Sequence, residues 1–134
     1  MPDDAQTLAG IITRRSHTSV AATVDRVTEV ISQRGFTLFR IIDHSAQAEQ
    51  AGVSLPGSKL VMFGKPSVGA SVMVASPPAG LDFPLKVLVW DDGSGAVSVS
   101  YNAPDFVAER HHIEGALRAP FDAVALIVEE AVGE

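Results

Sequence analysis

Hydrophobic and polar positions along the chain change period several times, and each change predicts a new element. Val20, Val24, Val27 and Ile31 fall at i, i+4, i+7 and i+11, which is one apolar stripe of an amphipathic helix. Thr18 or Ser19 stands where an N-cap belongs, and Gly35 stands where a left-handed C-cap ends such a helix. Before it, residues 11–18 are rich in β-branched side chains and read as a strand. Residues 1–9 are polar and are expected to fray.

After Gly35 the pattern switches to strands. Residues 36–43 (FTLFRIID) predict one, and residues 45–51, closed by Gly52, a short alanine-rich helix. Leu60-Val61-Met62-Phe63 is continuously apolar and predicts a central strand buried on both sides. Residues 67–76 fit helix or strand, and Pro66 at a first helical position favours helix. Residues 77–80 (PPAG) read as a loop. Residues 84–90 and 96–101 alternate as strands around Asp91-Asp92-Gly93-Ser94-Gly95, a hairpin signature. Pro104 opens a short helix through His112. A last helix over about 119–132 starts at Pro120 and carries Phe121, Val124, Val128 and Ala131 or Val132.

The resulting order mixes strands and helices around an obligatory antiparallel hairpin. It predicts an α+β domain over residues 10–134, a sheet of four or five strands with its main helices on one face. Composition narrows the function classes. The 134 residues carry ten basic and sixteen acidic side chains, a net charge of −6, which argues against a nucleic-acid partner. With 46% hydrophobic residues and mean hydropathy +0.22, disorder is excluded for most of the chain. No apolar run approaches a bilayer span, and the acidic start Met1-Pro2-Asp3-Asp4 is unlike a signal peptide. Cysteine is absent, which excludes disulfides and thiolate chemistry and suits a reducing compartment. The expectation is a cytoplasmic protein without a membrane or nucleic-acid partner and without a cofactor.

Several segments together resemble the domain of unknown function 302 family. They are GFTLFRIIDH at 35–44 with AG at 51–52, FGKPxxG at 63–69, DFPLKVLVWDD at 82–92, SYNxP at 100–104 and AERH at 108–111. The resemblance covers about residues 13–113. It implies a TATA-binding-protein-like fold, a curved antiparallel sheet backed by helices, and a homodimer. It implies no activity, and the fold name imports no DNA binding.

The residues themselves suggest several sites, each with a plainer reading beside it. Asp43-His44 at a strand end pairs an imidazole with a carboxylate, a general base or half a metal site; alternatively Asp43 caps the following helix. Lys86 points opposite to Leu85 and Val87, to be partnered by Asp82 or Asp43, or to blunt an exposed sheet edge. Asp105, Glu109 and His112 share one face if their segment is helical, a spacing that suits a divalent metal; a solvated helix face is the plainer reading. Gly64-Lys65-Pro66-Ser67-Val68-Gly69 looks like a phosphate loop but lacks the P-loop ending, and Pro66 removes a donor. Met62, Met73 and His44 would suit copper(I), although core methionines are commoner.

No complete catalytic constellation emerges. The leading expectation is a non-catalytic, homodimeric domain that binds a small ligand or a partner. Its site would comprise Asp43, His44, Asp82, Lys86 and Tyr101, gathered where the second strand ends and the hairpin starts. One alternative is a metal-assisted or general-base enzyme centred on His44 and Asp43, with Asp82 or His111 converging. A purely structural or interaction protein is the other.

Overall fold

The structure, a computed structural model, describes residues 5–133. Six antiparallel strands form one sheet: β1 (Ala5–Leu8), β2 (Ile11–Ser16), β3 (Thr37–Asp43), β4 (Ser58–Gly64), β5 (Leu85–Asp91) and β6 (Val97–Asn102), in the spatial order β1-β2-β6-β5-β4-β3. The helices are α1 (Val20–Gln33), α2 (His44–Gln50), α3 (Pro66–Ala75), α4 (Pro104–Arg110) and α5 (Ala119–Val132). This is the α+β architecture that the pattern predicts. The sheet is one strand wider because Ala5–Leu8 pair antiparallel with β2. Of the segment 1–9 expected to fray, residues 1–4 lie outside the described residues.

Local chemistry explains the boundaries. Ser19 Oγ accepts the Ala22 N–H at 3.0 Å and starts α1. At the other end the Gly35 N–H donates to Ser32 O and the Phe36 N–H to Ile31 O, a Schellman closure that needs Gly35 at φ +81°. Ser16, Thr18 and Thr23 hydroxyls form a closed network at 2.7 to 3.4 Å, so the buried Ser16 and Thr23 keep their hydrogen bonds.

α1 and α5 lie side by side across one face of the sheet. Strand alternation sends Val61 and Phe63 of β4, Leu85, Val87 and Val89 of β5, and Val97, Val99 and Tyr101 of β6 under them. Val27, Val30 and Ile31 of α1 and Phe121, Val124, Ile127 and Val128 of α5 close the core. The last helix is thus anchored by the expected stripe, with Ile127 added to it. Arg34 Nε donates to Glu130 Oε1 at 2.9 Å and ties the two helices.

Three expectations need correction. β4 is buried on one face only, since Leu60 and Met62 stay half-exposed. Neither α1 nor α5 covers that side. The loop at 77–80 is a 3-10 turn, Pro77–Asp82, because two consecutive prolines fix compatible φ values. And α4 ends at Arg110, before His112. His112 takes φ +54°, its N–H donating to Glu109 O while the Ile113 N–H reaches Ala108 O. That Schellman closure seats Ile113 in the core, and burial of its side chain ends the helix.

Candidate functional site

Asp43 closes β3 and caps α2. Its Oδ1 accepts the Ser45 hydroxyl at 2.6 Å and the Ala46 N–H at 2.9 Å, and these bonds hold its carboxyl below the ordinary range. The plainer reading of Asp43 is therefore the observed one. His44 is the first residue of α2 and half-buried. Beside them lies a broad open hollow of about 590 Å³, lined by Asp43, Ser45, Glu49 and Val53 among others.

Asp82 ends the 3-10 turn at the other end of the sheet. Its Oδ2 lies 2.6 Å from His111 Nε2 and 3.4 Å from an Arg110 guanidinium nitrogen. The His111 side chain is 4% exposed and that of Asp82 12%. The carboxylate fixes the imidazole, but burial keeps the ring from a substrate, so the pair ties α4 to the turn before β5. Lys86 stands opposite Met62 on the open face of the sheet, whereas Tyr101 lies under the helices. β5 is an interior strand, so Lys86 blunts no edge. Burial raises the Tyr101 hydroxyl above its usual pKa, with Arg14 opposing and Glu129 reinforcing the effect.

The five residues do not converge on one site. Asp43 is in register with Lys59, while Lys86 is in register with Met62; at ~3.3 Å per residue and ~4.8 Å per strand they are separated along and across the sheet. Lys86 and Tyr101 both border a small hollow of about 160 Å³, and Lys86 and Asp82 border a second, smaller one, but neither hollow includes Asp43 or His44. Asp105, Glu109 and His112 do border one surface depression. Asp105 there bonds Arg118 at 2.6 Å, and among the described residues no three His, Asp or Glu side chains converge on a metal position. Met62 of β4, Met73 of α3 and His44 of α2 lie on separate elements.

What the sequence reading missed is a groove assembled from two segments that it had singled out separately. Gly64, Lys65, Pro66 and Gly69, at the β4–α3 junction, meet Phe83 and Pro84, which precede β5, in a cavity of about 330 Å³. Phe39, Met73 and Gly80 complete it. Pro66 starts α3, and the Val68 and Gly69 N–H groups both donate to Lys65 O, so they are spent inside the helix rather than free for a phosphate. Phe83 stacks on Phe121, with centroids 5.5 Å apart. The Lys65 ammonium rests 4.6 Å above the centre of the Phe36 ring, a cation–π contact. The signals available in the sequence were Gly64 and Gly69 in one segment and Phe83 beside Pro84 in the other, but their meeting requires the fold.

Comparison with known proteins adds the family. Residues 12–131 match the model of the domain of unknown function DUF302. The crystal structure of an uncharacterised conserved DUF302 protein from Bacillus stearothermophilus has a TM-score of 0.77 to this chain at 16% identity, covering 93% of this chain and 97% of that one. The fluoride-specific ion channels FluC 1 of Brucella suis and FluC 2 of Brucella melitensis are each 35% identical over 130 residues, 94% of this chain. The chain spans 51% and 48% of those two proteins, about half their length. Among the described residues no helix is long and apolar enough to cross a membrane. With the family's motifs in order and the match running from β2 into α5, this chain belongs to the DUF302 family.

Proposed function

We propose that this domain is a non-catalytic, homodimeric binding module whose small ligand occupies the groove between the β4–α3 junction and the segment before β5. The observation that carries the reading is that Gly64–Gly69 and Phe83–Pro84, remote in sequence, together form an apolar cavity of about 330 Å³, at the lower end of ligand-sized sites. The hollow at Asp43 supports less, since its carboxylate is engaged in capping α2. Self-association is supported by β3, an edge strand whose Leu38, Phe39 and Ile41 are 42%, 46% and 38% exposed, an unprotected edge of the kind a partner strand covers. In the longer FluC relatives, the same module is proposed to be the part outside the channel, because crossing a bilayer takes long apolar helices or a closed barrel.

A thermal-shift screen of small metabolites against the whole chain tests the ligand site. A compound at 100 times its dissociation constant adds ~2.7 kcal/mol, and Met73→Trp, which fills the groove, should remove that stabilisation while His44→Ala leaves it. The opposite result would move the site to the Asp43–His44 corner. Light scattering showing only the 14.1 kDa monomer at micromolar concentration would end the dimer reading.

A further inference from the structure

We infer that the groove selects small amphipathic monoanions, with Lys65 meeting the charged head and Gly69 leaving space for the apolar body; this rests on the groove being the ligand site. Three glycines border it, and they differ in what requires them. A Cβ on Gly64 would come within 3.2 Å of the Phe39 ring, and one on Gly80 within 3.2 Å of Met73 Sδ. Packing inside the chain already accounts for those two. Gly69 is another matter. It lies inside α3, its φ is not in the left-handed region, and a Cβ there would meet Phe83 at 3.5 Å and Met73 at 3.8 Å, ordinary contact distances.

Neither backbone conformation nor packing thus asks for glycine at position 69, and helix propensity speaks against it. Phe83 and Met73 are both walls of the groove, so what the missing side chain leaves open is groove space. Charge supplies the second half. Of the nine residues lining the cavity, Lys65 alone is charged. Among the described residues it forms no ion pair with a carboxylate, its ammonium lying instead over Phe36. Phe36 is not among the lining residues, so the ammonium rests beside the groove, and rotation of the long lysine side chain brings it to the groove mouth. There it attracts an anionic head group and repels a cation. One lysine answers one negative charge. The backbone donors that a multiply charged phosphate would need, Val68 and Gly69 N–H, are already bonded to Lys65 O.

The experiment titrates the whole chain with octanoate, octanamide and octylammonium, following calorimetric affinity and backbone amide shifts. Octanoate should bind at least about tenfold tighter than octanamide, with octylammonium weakest, and shifts should centre on Gly64, Gly69 and Phe83. Lys65→Gln should bring octanoate down to the octanamide level and leave octanamide unchanged. Gly69→Ala should weaken both several-fold while the melting temperature holds or rises. Equal affinity for octanoate and octanamide in the unaltered chain would overturn the anion selection and leave the groove standing. Absence of shifts at the groove with all three compounds would overturn the groove reading itself. A lower melting temperature in Gly69→Ala, or undiminished binding, would overturn the role given to Gly69.

Discussion

The two faces of the sheet come from the same alternating strands and end in opposite conditions. Under α1 and α5, Val61, Phe63, Val87, Val89 and Val99 are fully buried. On the other face the registered neighbours are Leu60, Met62, Lys86, Leu88, Trp90, Ser98 and Ser100, all half-exposed. That open face also carries Arg15 beside Ser98 and Arg40 beside Met62. With Lys86 that makes three cations, and among the described residues no carboxylate sits in its ladder, in a chain of net charge −6. The carboxylates lie elsewhere: Asp43 and Asp91 register on the covered face at strand ends, and Glu129 and Glu130 sit on α5. Alternation separates the faces, but only the placing of two helices decides which becomes core.

Truncations should expose the contrast most strongly. Phe63→Ala, which also removes an edge-to-face contact with Phe36, is expected to cost about 3–5 kcal/mol, the range for a buried aromatic. Leu88→Ala on the open face should cost about 1 kcal/mol, in line with its partial burial. Urea unfolding measures both; equal losses would mean that a second copy covers the open face in solution.

The two histidine–aspartate corners should differ next. His111→Ala leaves a nearly buried Asp82 without its 2.6 Å partner and is expected to cost about 2 kcal/mol. His44→Ala, at the start of α2, should stay within about 0.5 kcal/mol. A larger loss at His44 would reverse the assignment of the structural pair.

A smaller effect is expected from Ser100→Ala. Ser100 Oγ accepts the Trp90 indole N–H at 2.9 Å and lies 2.8 Å from Thr13 Oγ1, so its loss should cost about 1 kcal/mol. Trp90 is the one tryptophan of the chain, and its emission maximum should shift; an unmoved spectrum would show that the open face holds the ring by packing alone.

Titration gives the finest contrast. Asp43 and Asp92 have carboxyls lowered by hydrogen bonds, chiefly from the Ser45 and Ser94 hydroxyls. Their contribution to stability is full above the unfolded value of 3.8 and fades as pH falls through the lowered folded values. Tyr101 goes the other way. Burial raises it above 10.0, so stability is full below that pH and declines as pH rises toward the folded value. The chain has a single tyrosine, and tyrosinate absorbance should therefore appear later in the folded protein than after unfolding. Coincident titrations would place Tyr101 in solvent.

Legibility tracked how local the physics was. α1 was readable because its stripe, its Ser19 cap and Gly35 all lie within one contiguous stretch. The β5–β6 hairpin was readable because its turn residues are adjacent in sequence. Of the candidate site, the cap at Asp43 was legible for the same reason, as the plainer of two readings. The sequence by itself determined the α+β class, the helix stripes and the exclusion of thiol chemistry. Tertiary structure decided the rest. Lys86 and Tyr101 were split between faces by register, Asp82 was paired with His111 twenty-nine positions away, and His112 left its helix because Ile113 is drawn into the core. The groove required β4, α3 and the segment before β5 to come together. Periodicity reports what a residue's near neighbours favour, whereas convergence depends on which distant surfaces bury one another, and no local signal carries that free energy.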